Sequence, residues 1–405
     1  MMKLSKDRLI YIIGQLDQKV TAQLSIILLN DELKKLTSLW TELALLSYCR
    51  QETDSQASIK LFDIKWTEIE KDLNNSLELD NSVFFNCVYE QELGLAGGEP
   101  FGLLLANFEL DLRKLNTIST LRRLGELGAF ALAPIIINVS AETFNQVSFD
   151  NDLNFGREIN TIDLGNWNKL RRLPQARFIN VVVPSTQMII PTHSGDLLKS
   201  SWPITISGST LLTLQIIDSF ARTQWFSDIT GFLKNQHSLK KLPFPFSQGK
   251  MDCKVFIKGM DEQQLIASGF IPLIQTNTHE TLLFSSTYCS FSEGNSNTLS
   301  LEHMLAACRF GHFIKLIARD KIGSHSDESV CELYLRQWLG KYTAQINEQN
   351  LRFRYPLRNF DLKLSKIAGK PGYFNCQILL EPHMKLENMT TRIILNSELL
   401  DPNSI

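Results

Sequence analysis

The sequence predicts a mixed α/β fold: an amino-terminal helical pair, a central mixed sheet flanked by helices, and a carboxy-terminal β-strand extension. Three observations carry this. Through residues 3–48 apolar side chains recur at three- and four-residue steps, the period of an amphipathic helix. Short, nearly all-apolar runs such as Ile135 to Val139 and Phe178 to Val183 are flanked by proline, as buried strands are. Such runs alternate with longer helical patterns until two strand-like segments close the chain.

In the first helix Leu9, Ile13, Leu16, Val20, Leu24, Ile27 and Leu28 share one face. Asn30 and Asp31 interrupt the pattern and can cap a second helix, which carries Leu33, Leu36, Leu39, Trp40, Leu43 and Leu46. A stripe this wide fits packing within the chain or against a partner helix. Ser58 to Ile64 alternates as a strand should, and amphipathic helices follow near Trp66 to Leu73 and Ser82 to Glu92. Gly102 to Ala106 reads as a buried strand leaving a glycine-rich turn. Ile118 to Ala133 is helical until Pro134 ends it, and the strand Ile135 to Val139 comes next. Trp167 to Arg172 and Pro174 to Arg177 lead into the strand Phe178 to Val183, closed by Pro184. Leu211 to Phe226 is helical, Leu242 to Phe246 a stiff connection, and Cys253 to Lys258 an edge strand. Glu262 to Ser268 is a short helix ended by Gly269, before the strands Phe270 to Ile274 and Thr281 to Ser285. Leu301 to Ile317 and Val330 to Ile346 are the last helices. Gly372 to Leu380 and Thr391 to Leu395 are the closing strands, with a connection short enough for a hairpin.

At 405 residues the chain can bury a sizeable core, and 43% hydrophobic with 21% charged residues is the balance of a soluble globular protein. A net charge of −2 gives no argument for nucleic acid or anionic membrane as partner. The apolar patch Leu9 to Ile13 is too short for a signal-peptide core, and no run is long enough to span a bilayer. The seven cysteines are scattered without a CxxC, which fits reduced thiols and a cytoplasmic setting.

The stretch Tyr89 to Phe108 sets Gly94, Gly97, Gly98, Gly102 and Pro100 against an apolar run. Glycines this dense mark backbone at positive φ or in close approach. A phosphate-binding loop would need Lys-Ser/Thr after the glycines, or a G-x-G-x-x-G opening a helix; a strand follows instead. In their order Tyr89, Glu90, Glu92, Gly94, Gly97, Gly98, Glu99, Pro100, Phe101 and Gly102 resemble the signature of the large sheath subunit of bacterial type VI secretion systems, the TssC/VipB family. Further blocks are similar to the same family. They include Gln23 to Leu28 with Leu36, Trp40 and Leu43; Ala131, Ala133, Pro134 and Ile136; and Trp167, Leu170 and Arg171 with Ala176 to Phe178. Gly269 to Leu273, then Arg309, Phe310, His312, Lys315, Arg319, Asp320, Lys321 and Gly323, and finally Pro371 to Tyr373 with Leu380, Pro382, His383, Leu386 and Glu387, extend the likeness to nearly the whole chain.

The resemblance implies a sheath-subunit fold with residues 1–50 as a helical pair on the small subunit, 51–365 as the core and 366–405 as a strand pair for inter-subunit β-augmentation. It implies partner-binding residues Leu24, Ile27, Leu28, Leu36, Leu39 and Trp40, and inter-subunit strand residues Tyr373, Phe374, Ile378, Leu380, Ile393 and Leu395. Arg309, His312, Lys315, Arg319 and Asp320 are implied polar contacts between protomers. The implied partners are a small sheath subunit of the TssB/VipA kind, further copies of this chain, an inner-tube protein and a baseplate, with neither nucleic acid nor membrane insertion. Leu132 stands where the family has histidine, and Ser185 to Ser194 replaces an arginine-rich continuation. The sequence also begins at the helical pair, so the family's amino-terminal exchange strand and its helix read by a recycling unfoldase are not expected of it. A sheath-like paralogue that caps or regulates a sheath without polymerising is the alternative within the same family.

Residue types that carry chemistry are present but scattered. Cys308 and His312 lie four apart on one helix but make half a metal site, and His303 falls on another face. Ser324 to Asp327 collects nucleophile-type side chains that adjacent positions rarely present to one another. Arg352, Arg354, Arg358, Lys363, Lys366 and Lys370, interleaved with Phe353, Tyr355 and Phe360, suit an acidic neighbour or solvent better than nucleic acid. No catalytic set, metal or cofactor is expected; a nucleotide- or metal-dependent enzyme using the glycine turn or the Cys308/His312 pair is the alternative from another class.

Overall fold

A computed structural model describes residues 6–94, 97–146, 164–190, 202–226, 228–233, 242–243, 246–253, 257, 259–276, 281–292, 299–321, 328–344, 355–366, 374–382 and 393–399. Four strands run parallel at its centre: β1 (Leu104–Leu110), β2 (Ile135–Val139), β3 (Ile179–Val183) and β8 (Phe270–Gln275). The short β9 (Leu282–Phe284) and β6 (Gly231–Phe232) add antiparallel, giving a mixed sheet in the order β1-β2-β3-β8-β9-β6. Parallel neighbours need crossovers, and α5 (Leu115–Ala131) supplies the one between β1 and β2.

Helices cover both faces. Ile135 and Ile179 reach α5, at Gly128 and Gly125, while Asn138 and Val182 reach the start of α7 (Gly208–Thr223). Residues of opposite parity on a strand point to opposite faces, so α5 and α7 sandwich the sheet. This explains why β2 and β3 are apolar on both sides and wholly buried. Their two asparagines are bonded: Asn180 Nδ2 donates to the Ile135 carbonyl at 3.2 Å, and Asn138 Oδ1 accepts the Ser209 N–H at 2.9 Å.

A second sheet, β4 (Thr186–Ile190) between β5 (Trp202–Ile206) and β7 (Lys250–Asp252), is antiparallel. The expected edge strand Cys253 to Lys258 is therefore displaced to Lys250–Asp252, where the backbone meets Gln187 to Ile189; residues 254–256 and 258 lie outside the described residues. β4 occupies the segment where the family pattern breaks, and Pro203 is tolerated because β5 is an edge.

A third antiparallel sheet, β10 (Leu357–Lys366), β11 (Phe374–Pro382) and β12 (Ile393–Leu399), closes the chain. It packs with α9 (Leu301–Lys321) and α10 (Glu328–Gly340) around its own core, which includes Phe310, Leu335, Leu339, Leu362, Ile378 and Leu380. The two expected closing strands thus gain a third. Within the basic stretch Leu362 and Leu364 face inward while Asp361 and Lys363 face out.

Some local expectations are corrected. Ser58 to Ile64 forms no strand and pairs with none among the described residues. Ser82 to Glu92 is helical, but after α4 (Val83–Phe85) it winds as a π-helix from Asn86 to Gly94. The predicted helix Val330 to Ile346 stops at Gly340, whose missing side chain favours termination. Among the described residues no helix is long and apolar enough to cross a membrane.

Candidate assembly surfaces

The glycine turn is a brace built around Glu92. Asp72, on α3 (Trp66–Asn75), accepts Ser82 Oγ and the Val83 and Phe84 N–H groups, which fixes where the next helical turns begin. The π-winding then delivers Glu92 to the turn. One carboxylate oxygen takes Lys60 Nζ at 2.5 Å and the other accepts the Glu99 N–H at 3.1 Å. The Lys60 contact, more than anything else, holds the Glu92 carboxyl below the usual carboxylate range. Gly97 has φ of +89°, and a Cβ on Gly98 would stand 2.3 Å from the Glu92 carbonyl oxygen. Both positions therefore demand glycine. Gly102 does not, since nothing lies within 4 Å of where its Cβ would be. Gly94 ends the π-helix, Pro100 is half-buried, and Phe101 lies under Lys60 Nζ at 5.2 Å.

Of the three polar residues on α9, His312 and Lys315 reach the end of α5 and Tyr89, beside this turn. His312 Nε2 donates to the Ala131 carbonyl at 2.7 Å, and Lys315 Nζ reaches the Phe130 carbonyl at 3.4 Å and the Tyr89 ring at 5.4 Å. These are carbonyls of the last turn of α5, which lack intrahelical partners; Leu132 ends the helix at φ 52°. Burial pushes His312 down to about 4, so it is neutral and carries its proton on Nε2. Arg309 lies over the rings of Phe220, Trp225 and Phe313, at 4.7, 5.3 and 5.5 Å. The positions read as inter-protomer contacts thus carry intrachain contacts at 309, 312 and 315; the side chains of Arg319 and Asp320 lie outside the described residues. Burial also drives the Cys308 thiol far up, and among the described residues no three His, Cys, Asp or Glu side chains group to hold a metal. Ser324 to Asp327 and His383 lie outside the described residues.

Two sequence blocks far apart meet at Arg171, on α6 (Gly165–Arg171). Its Nε donates to the Ser290 carbonyl at 2.9 Å and Nη2 to the Ala267 carbonyl at 2.8 Å. Trp167 stacks on Phe270 at 5.9 Å and donates Nε1 to the Ser268 carbonyl. Gly269, at φ +83°, lets the guanidinium approach: a Cβ there would sit 2.5 Å from Arg171 Nε. Burial lowers Arg171 to about 10, so it stays charged at neutral pH.

The amino-terminal helices are divided in their packing. The second half of α2 (Asp31–Glu52) is buried through Thr41, Glu42, Leu45, Leu46 and Cys49. Its first half and α1 (Lys6–Leu28) are not: Ile13, Leu24, Ile27, Leu36, Leu39 and Trp40 are exposed, Trp40 by 62%, with Leu28 half-buried. Glu42 is the hinge between the two regimes. Its carboxylate accepts the Ser207 N–H, Thr210 Oγ1 at 3.1 Å and Asn107 Nδ2, tying α2 to the start of α7 and to β1. Burial raises its pKa against these three donors. Sequence reading passed over Glu42 and Lys60. For Glu42 a signal was present, an acid sharing a helical face with Leu45, Leu46 and Cys49.

At the carboxyl end β11 is the central strand, so Phe374 to Leu380 have both backbone edges paired and the edge strands are β10 and β12. Ile378 and Leu380 point into the second core. Tyr373 lies outside the described residues, as do the side chains of Phe374, Ile393 and Leu395.

Two family profiles match this architecture: the EvpB/VC_A0108 tail sheath N-terminal domain over residues 11–196, and the EvpB/VC_A0108 tail sheath gpW/gp25-like domain over residues 293–399. The type VI secretion system sheath protein TssC1 of Pseudomonas aeruginosa is 27% identical over 96% of this chain and 85% of its own. The chain belongs to the TssC/VipB sheath family. The first matched range of this sheath subunit holds the Glu92 brace, α5 and the exposed helices; the second holds α9, α10 and the closing sheet. Among solved structures, the sheath tail protein of Desulfitobacterium hafniense is 7% identical with a TM-score of 0.40, covering 74% of this chain and 57% of that one. The sheath tail protein Lin1278 of Listeria innocua is 10% identical with a TM-score of 0.40, over 73% and 56%. The anti-feeding prophage baseplate structure is 9% identical with a TM-score of 0.37, over 69% and 66%. This chain spans less than two thirds of each of those three chains.

Proposed function

We propose that this chain is the large structural subunit of a type VI contractile sheath. It pairs with a small sheath subunit through residues 1–50 and polymerises with its own copies through strands 366–405 laid beside β10, around an inner tube and on a baseplate, in the cytoplasm. The observation that carries this is the family match over nearly the whole chain. Bare apolar side chains along α1 and the first half of α2 support it, because a continuous exposed apolar surface marks an interaction site. Each large side chain covered by a partner contributes about 1.5–3 kcal/mol, so a few suffice for a stable pair. The outer edge of β12 pairs with no further strand among the described residues and offers backbone to a strand of a neighbouring subunit, while β10 already uses Leu357 on Tyr342 and Ala344 and its Leu362 carbonyl on Arg336. Contraction is then a switch between two packings of linked subunits, and the chain's part in it is structural. Co-expression with the neighbouring small-subunit gene and negative-stain microscopy of the product tests the reading. Long hollow tubes are expected; a discrete particle would point to a non-polymerising paralogue, and no complex at all would overturn the proposal.

A further inference from the structure

Arg309 is half-buried on α9, and its guanidinium donates to no acceptor among the described residues. Nε is buried without a partner, while Nη1 and Nη2 reach solvent. Rings alone hold the group in place: Phe220, Trp225 and Phe313 lie at 4.7, 5.3 and 5.5 Å. Other arginines are provided for. Arg113 holds Asp111, Arg222 holds Asp218 and Asp228, Arg336 holds Glu332, and Arg171 has two carbonyls. His312 and Lys315, on the same helix as Arg309, already donate to the end of α5. Burial lowers the pKa of Arg309, and no carboxylate acts on it in the other direction. The surface around it is aromatic. Phe313 is 40% exposed and packs at 6.0 Å on Trp338 of α10, where Leu333 and Tyr334 are exposed as well. An arginine among exposed rings, with other charges absent, has the composition of the centre of a protein interface.

We propose that Arg309 and the rings about it receive an Asp or Glu side chain of a neighbouring copy of this chain. The proposal rests on the reading that copies join at the closing sheet. α9 packs against β12, whose outer edge takes the neighbour's strand, so a copy seated there comes up against the unit that carries Arg309. The small subunit is assigned to α1 and α2, in the other matched range. A guanidinium makes two parallel bonds to a carboxylate, and the ring contacts have already fixed its plane, so little side-chain freedom is lost on docking. Charge decides the kind of occupant: a basic surface is repelled, and an apolar one leaves the fork unpaired.

Sedimentation of the full chain in complex with the small subunit, across protein concentration, tests this with Arg309→Gln and Arg309→Lys. Arg309→Gln binds the small subunit as the unaltered chain does and keeps the melting temperature of the free chain, since no hydrogen bond or ion pair is lost. The concentration at which its polymers form rises about ten- to a hundredfold. Added salt weakens assembly of the unaltered complex more than that of the variant. Arg309→Lys keeps the charge but not the fork, and restores only part of the loss. Polymers of Arg309→Gln at the unaltered concentration would overturn this inference and leave the sheath reading standing. Early melting of both variants would assign Arg309 to the fold and overturn it too. Loss of small-subunit binding at an unchanged melting temperature would place the carboxylate on the small subunit and reject the neighbouring copy. If the unaltered complex forms no polymer at all, the polymerising reading falls and this inference with it.

Discussion

Replacing Glu42 by alanine removes one acceptor that three donors share. Thr210 Oγ1 keeps a partner, since Ser207 Oγ lies 2.7 Å away, and the half-buried Asn107 can turn toward water. The Ser207 N–H cannot: it is buried at the entrance of α7, and leaving it unsatisfied costs about 1–3 kcal/mol. Losing a negative charge at the first turn of α7 adds about 0.5–1 kcal/mol. Relief from burying a carboxylate offsets part of this, and a net loss of about 2 kcal/mol is expected. Glu42→Gln keeps an acceptor for Ser207 and, with Asn107 flipped, satisfies its own amide, so it costs less than about 1 kcal/mol. Urea unfolding of both variants near neutral pH measures the difference. The pH dependence gives a second readout. The folded pKa is raised above the ordinary 4.5, so this group's contribution is fully present below 4.5 and is lost as pH rises through the folded value. Wild type minus Glu42→Gln should therefore grow more favourable as pH falls toward 4.5. An alanine variant within 0.5 kcal/mol of wild type, or a glutamine variant as damaged as alanine, would refute the tethering role (about 0.5 being the scatter of neutral surface changes).

The glycine signature divides: Gly98→Ala meets the Glu92 carbonyl and should cost about 1–3 kcal/mol, whereas Gly102→Ala should stay within about 0.5, both readable by thermal melts. Gly269→Ala should cost about 3 kcal/mol in the native background and about 1 with Arg171→Ala, a coupling that a double-mutant cycle measures. His303 and His312 titrate at about 4 when folded against 6.5 ordinarily, so the unfolded chain takes up protons first and stability falls as pH drops between those values. The loss reaches up to about 3 kcal/mol per histidine by pH 4. Urea midpoints across that range should fall about half as steeply in His312→Gln, where His303 remains. Trp40→Lys should leave monomer stability within about 0.5 kcal/mol, because the ring touches solvent, yet abolish capture by the small subunit in a pull-down.

Local physics wrote much of the fold into the sequence. β2, β3 and β8 were legible because buried parallel strands need unbroken apolar runs, and proline or glycine punctuates each of them. The helices were legible from their period, and the order of Gly, Glu, Pro and Phe after Tyr89 pointed to the family. β10 was not, because its charged outward face masked the inward Leu362 and Leu364 until β11 lay beside it. Nor could periodicity say whether the apolar face of α1 is covered within the chain; only the placement of α7 and β5 against the second half of α2 leaves α1 bare. The nodes were least visible. Glu42 meets Ser207 across 165 positions, His312 meets Ala131 across 181, and Arg171 meets Ala267 and Ser290 across 96 and 119. A sequence by itself determines which stretches coil, extend or turn, since those preferences arise within a few residues. Which buried charge finds which backbone group is decided only when the whole chain has folded, because that partner is set by where the sheet and its helices bring the backbone back.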